Sequence, residues 1–286
     1  MELRTFKTLW GYPDTDRAES LSQACLMAKK SGYDGIEGQI PPDDNIRQAF
    51  AECLEAYGLE YIAEITTAGS YVPDRTASLK EHLRDLQLQL SRLHPLRPEK
   101  VTCLGGCDRW DIETSIAFFT EGLALAEKYN QKICFETHRG RSLYSPWVTE
   151  KILEKIALPL TCDFSHWCVV CEGLGESEYD LIRQVANHAQ HIHGRIGFDQ
   201  GPQVSDPRSY LYKADLEKHL LWWSWIWQAQ QARGQAATTL TPEFGPDGYQ
   251  ALNPENGAPL GDLNAINSWM AKTAKAEFIH FMGDTQ

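Results

Sequence analysis

Residues 112–137 read IETSIAFFTEGLALAEKYNQKICFET, and the rest of the chain repeats their plan. Ile112, Ile116, Phe119, Leu123 and Ala126 step by 4, 3, 4 and 3, which places them on one face of a helix. Asn130 then offers a residue that tolerates the left-handed turn ending such a helix. A short apolar run, Ile133-Cys134-Phe135, follows and closes on Glu136. Two earlier segments share this unit: Gly32 and Gly58 end helices, and each is followed five or six residues later by a strand glutamate, Glu37 or Glu64.

Working outward, helical spacing recurs at Leu21, Cys25 and Ala28, at Ile46, Phe50, Cys53 and Tyr57, and along Leu79 to Leu93. Later helices are predicted around Val148 to Ile156, Leu181 to Val185, Leu216 to Trp227 and Leu263 to Met270. Between the helices lie eight short strand candidates: Phe6–Trp10, Gly35–Ile40, Tyr61–Thr66, Lys100–Leu104, Lys132–Thr137, Leu160–Phe164, His191–Ile196 and Thr238–Phe244. Strict alternation implies parallel strands, and eight repeats favour closure into an α/β fold, a (β/α)8 TIM barrel. No Gly- or Pro-rich linker divides the chain, so residues 1–286 are read as one domain. The long segments Gly197 to Arg208 and Gly245 to Leu260 each read as a functional loop or lid.

Composition narrows the function. At 42% hydrophobic and 23% charged the 286 residues are globular, and a net charge of -12 works against a phosphate-backbone partner, so no nucleic acid is expected. Met1 to Trp10 lacks the apolar run of a signal peptide, and no stretch of about 18 apolar residues suggests a membrane span. Most of the eight cysteines sit among core-type residues, including the lone Cys168-Val-Val-Cys171 spacing, and read as reduced packing residues of a cytoplasmic protein. In Leu221-Trp222-Trp223-Ser224-Trp225-Ile226-Trp227, Trp225 points away from the stripe of Trp223 and Trp227, which suggests a homo-oligomer contact.

The chemistry lies at the ends of the last four strands. They carry Glu136-Thr137-His138, Asp163-Phe164-Ser165-His166, His191-Ile192-His193-Gly194-Arg195 and Glu243-Phe244-Gly245. Side chains two apart on a strand share a face, so His191, His193 and Arg195 point one way. If that way is the barrel lumen, polar groups stand where apolar layers normally pack, which is costly unless they meet a ligand. Three carboxylates and one imidazole suit a single divalent ion, with Mn2+ preferred and Mg2+, Co2+, Fe2+ or Zn2+ as the other candidates. Trp10, Trp110 and Trp167 fall at strand ends or in the loops beyond, where an aromatic wall suits a sugar face.

These residues resemble the xylose isomerase-like barrel superfamily, which includes sugar 3-epimerases and inosose dehydratase. The resemblance covers nearly the whole chain in order of elements and is specific at the four strand ends. It implies metal ligands at Glu136, Asp163, His193 and Glu243, with Glu136 and Glu243 as the acid–base pair. It implies that His166 of the DxxH motif contacts substrate, while Arg195, His138, Trp10 and Trp167 are placed near substrate by position. The implied activity is a metal-dependent isomerase or epimerase of a small carbohydrate or polyol, moving a proton through a metal-stabilised enediolate. An inosose-type dehydratase on the same scaffold is the alternative. A further glutamate of the family is expected six residues after Glu136, where this chain has Ser142. An abasic-site nuclease is disfavoured: Tyr61–Thr66 and Lys100–Leu104 lack histidines, and Gly197-Phe198-Asp199-Gln200 lacks the Asp-Arg-His run.

Overall fold

Several helices of the chain begin or end on local signals written in the sequence. In the computed structural model, which describes residues 1–284, Asp43 caps α2 (Asp44–Tyr57) by accepting from the backbone N–H of Asn45 at 2.8 Å and of Ile46 at 3.1 Å. Ser78 and Glu81 form a reciprocal capping box on α3 (Leu79–Ser91), and Asp111 caps α4 (Ile112–Lys128). The left-handed turns fall where the repeat places them, with φ of 75° at Gly32, 59° at Gly58 and 53° at Asn130.

The strands β1 (Glu2–Thr8), β2 (Gly35–Gln39), β3 (Glu60–Thr66), β4 (Lys100–Leu104), β5 (Ile133–Glu136), β6 (Leu160–Cys162), β7 (Ala189–His193) and β8 (Ala237–Thr241) pair in parallel in sequence order. β8 pairs back onto β1, with Leu3 opposite Thr238, so the sheet closes into a barrel. The helices α1 (Ala18–Lys30), α5 (Pro146–Leu153), α7 (Tyr179–Ala186), α8 (Lys213–Ala232) and α9 (Leu263–Asp284) complete the alternation. The fold is a single-domain (β/α)8 barrel. One short helix, α6 (Ser165–Val170), lies between β6 and α7 and was not expected. Several strands stop earlier than the apolar runs suggest, so Asp163, Arg195 and Glu243 stand just past them.

Most large apolar side chains pack between strands and helices. Phe50, Phe118, Phe119, Trp222, Trp223 and Trp227 are all buried there. Trp225 does not form an exposed aromatic patch: it is only 8% exposed, covered by the Tyr179 ring at 5.1 Å and the Arg183 guanidinium at 4.3 Å. The expected subunit contact therefore loses its observation, because α7 supplies the cover within one chain. Gly197 to Arg208 is also not a free lid. The Gln203 amide donates to the Gly245 carbonyl at 3.1 Å and accepts from the Gly245 N–H at 2.9 Å, zipping this loop to the one after β8. All eight cysteines are free thiols, and no helix among the described residues is long and apolar enough to cross a membrane.

Candidate metal centre

The lumen is polar along much of its axis. Near the N-terminal ends of the strands, Lys100 Nζ donates to Thr239 Oγ1 at 3.0 Å, and Thr239 Oγ1 is 2.7 Å from His191 Nδ1. His191 Nε2 lies 3.0 Å from one oxygen of Glu37, whose other oxygen lies 3.1 Å from His193 Nε2. Glu37 thus grips both β7 histidines. Burial opposes its charge, but the two imidazoles outweigh that and hold its pKa well below the usual carboxylate range.

With Nε2 taken by Glu37, His193 turns Nδ1 toward the C-terminal face. There it meets Glu136 Oε1 at 3.3 Å and Glu243 Oε2 at 3.2 Å. Glu136, Asp163, His193 and Glu243 are all buried, and each offers one ligand atom within 4.8 Å of the others'. Glu136 Oε2 and His193 Nδ1 are buried without a hydrogen-bond partner. Asp163 is held from below: its N–H donates to Thr137 Oγ1 at 2.8 Å, and Oδ1 accepts from the Ser165 N–H at 2.9 Å.

Four carboxyl groups, Glu37, Glu136, Asp163 and Glu243, converge on this centre. Arg195 is the guanidinium among them, bonded to Asp163 Oδ2 and 3.5 Å from Glu243 Oε2. Burial lifts Glu136 to about 7 although His193 pulls it back. Burial also disfavours charge on His193, yet Glu243, Glu37 and Glu136 outweigh it and raise its pKa well above the histidine range. The same three carboxylates that favour positive charge on His193 would favour a cation beside it. The donor set fits one divalent ion: three carboxylates, one imidazole whose other nitrogen is fixed, and two orphaned buried ligand atoms.

Above the centre lies a small cavity of about 50 Å³, lined by Trp10, Gln39, Glu64, Tyr71, Leu104, Glu136, His138, Arg195, Glu243 and Tyr249. Asp163 and His193 do not line it. Trp10, Tyr71 and Tyr249 close the mouth with mutual ring contacts of 5.0 to 6.4 Å. Arg195 sits under this cap, 5.4 Å from the Trp10 ring and 5.0 Å from the Tyr249 ring. His166 Nε2 is 2.7 Å from Arg195, and its ring stacks near His138 at 3.8 Å. Burial lowers both histidines well below their ordinary value, so both are neutral imidazoles at neutral pH.

Trp167 is not on the cavity wall. α6 turns it into the core, where its indole N–H donates to the Leu143 carbonyl at 3.0 Å and its ring packs on Phe164. Trp110 likewise packs on His82, at 4.6 Å. Ser142 is fully buried, with its Oγ so close to Gly106 that even a Cβ there would sit 2.1 Å away. A glutamate at 142 would not fit this packing. The residues that sequence reading did not bring to the site are Gln39, Tyr71 and Tyr249; of the two strand glutamates, read as structural carboxylates or as pocket floor, Glu37 pairs with histidines and Glu64 lines the cavity. The helix–Gly–strand–Glu repeat was the available signal for the two glutamates.

A family model described as xylose isomerase-like TIM barrel matches residues 25–196. No curated protein matches the sequence. Among solved structures, a D-allulose 3-epimerase from Methylomonas sp. in complex with D-allulose superposes with a TM-score of 0.65 at 14% identity, covering 96% of this chain and 97% of that one. The probable 3-DHS dehydratase AsbF from Bacillus anthracis gives 0.58 at 13% identity, covering 96% and 98%. The IOLI protein with a bound zinc atom gives 0.61 at 15% identity, covering 99% of each.

Proposed function

We propose, from the premise that the chain belongs to the xylose isomerase-like TIM barrel family, that it is a divalent-metal-dependent isomerase or epimerase of a small sugar or polyol. The observation that carries the reading is the buried convergence of Glu136, Asp163, His193 and Glu243 under a cavity walled by aromatic rings. Those four residues would hold the ion through three carboxylates and His193 Nδ1. A set rich in oxygen with one nitrogen favours Mn2+ over softer choices. The ion would act as a Lewis acid on negative charge developing at a substrate oxygen.

The chain's own groups supply the proton transfers. Glu136 and Glu243 come from β5 and β8 and reach the cavity from either side of His193. Their environments push them apart: burial raises Glu136 to about 7, whereas for Glu243 the charges of His193 and Arg195 overcome burial and lower it. Those directions belong to the metal-free chain; with the ion bound, one carboxylate of the pair takes the substrate proton and the other returns one from the opposite side. Arg195 and the neutral His138, which line the cavity, orient substrate oxygens, His166 stands behind them against Arg195, and Trp10, Tyr71 and Tyr249 exclude water.

Incubating the manganese-loaded chain in D2O with ketoses, D-allulose among them, and with inososes tests this. The expected result is an isomeric sugar carrying solvent deuterium at the reacting carbon, absent in Glu243→Gln. Loss of water from an inosose would favour the dehydratase reading instead. Full metal occupancy in Glu243→Gln would sink the ligand assignment.

A further inference from the structure

On the side of the lumen away from the metal centre, two polar side chains share the cavity wall with no charged partner. Gln39 ends β2, Glu64 lies on β3, and the two are register partners. In the closed strand order, β2 and β3 are four strands removed from β6 and β7, so this pair faces Asp163, His193 and Arg195 across the barrel. Among the described residues Glu64 has no ion pair, and its hydrogen bond is a long one, 3.4 Å from Gln39 Nε2. Gln39 is exposed and Glu64 half-buried on the cavity wall, so their polar heads are open to a ligand entering it and are not used up by internal contacts. The guanidinium that lines the same cavity, Arg195, is already bonded to Asp163.

We propose that Gln39 and Glu64 form the end of the cavity that binds a vicinal diol of the substrate, remote from the carbons that react at the metal centre. This rests on the reading of the cavity as a carbohydrate site. The amide and the carboxyl stand side by side and offer both donors and acceptors, which matches two adjacent hydroxyls that each donate and accept. Apolar or singly hydroxylated chains leave the pair unsatisfied and are rejected.

Isothermal titration calorimetry of the manganese-loaded full chain with xylitol, and with 1,5-pentanediol as the chain lacking internal hydroxyls, tests the assignment without turnover. Wild type is expected to bind xylitol and to discriminate against the pentanediol. Glu64→Leu and Gln39→Leu should each weaken xylitol by about tenfold or more with manganese content unchanged, while Glu64→Gln, which keeps hydrogen-bonding capacity, stays within about threefold. Gln39→Leu carries the test if Leu at 64 prevents folding. Xylitol binding as in wild type by both leucine variants overturns the proposal, as does a wild type that binds xylitol no better than the pentanediol. A chain that isomerises no ketose yet loses xylitol in Glu64→Leu would defeat the proposed reaction and leave this subsite standing.

Discussion

Glu37 touches no cavity space, yet it fixes which nitrogen of His193 faces the ligand cluster. Glu37→Gln keeps the shape and removes the charge, so metal affinity should fall about 10- to 100-fold with the fold intact, read by competition with a fluorescent chelator. Unchanged affinity would mean that His193 is oriented by packing alone. Protons provide a second check. His193 binds one well above the ordinary histidine range and Glu136 binds one up to about 7, and both must be given up to a metal. Affinity should therefore rise with pH from 6 to 8 with proton release in calorimetry; a flat profile would contradict the assignment. At this scale the sequence was partly legible. Alternation on β7 placed His191, His193 and Arg195 on one face, but it could not say that Glu37, far away in the chain, would bridge the first two. That pairing exists only once β2 and β7 share a lumen.

At the scale of elements, the βα loops are held by side chains that secondary-structure signals do not announce. Arg141 is fully buried and donates to the carbonyls of Thr67, Ser70 and Gly106, joining the loops after β3, β4 and β5. Arg141→Leu leaves those carbonyls without donors, so about 3 kcal/mol of stability should be lost, seen as a lower melting temperature. A loss under about 0.5 kcal/mol would show that the loops hold themselves. The strands and main helices were readable because their apolar periods differ, 2 against 3.6. α6 was not, because six residues are too few to show a period, and with it went the orientation of Trp167. Trp225 was misjudged for a related reason: helical spacing tells which way a side chain points, not whether a neighbouring helix covers it.

Across the whole molecule, a divalent ion would relieve the mutual repulsion of four buried carboxyl groups near the barrel axis. An ion that binds only the folded chain stabilises it by mass action, by about 2.7 kcal/mol at a hundredfold excess over Kd. Chelation should therefore lower the melting temperature by roughly 5 °C or more, and manganese should restore it. Identical melting curves with and without chelator would count against the centre. The polar axis also divides the labour of the molecule. Much of the apolar mass that keeps the chain folded lies in the ring between strands and helices, whereas the lumen is given over to Lys100, Thr239, His191, Glu37 and His193. Substitutions on the axis can redirect chemistry while the ring still folds the chain, so this architecture can explore new reactions from a constant scaffold. Barrels that share its shape at 13–15% identity, an epimerase and a dehydratase among them, are what such freedom would leave behind.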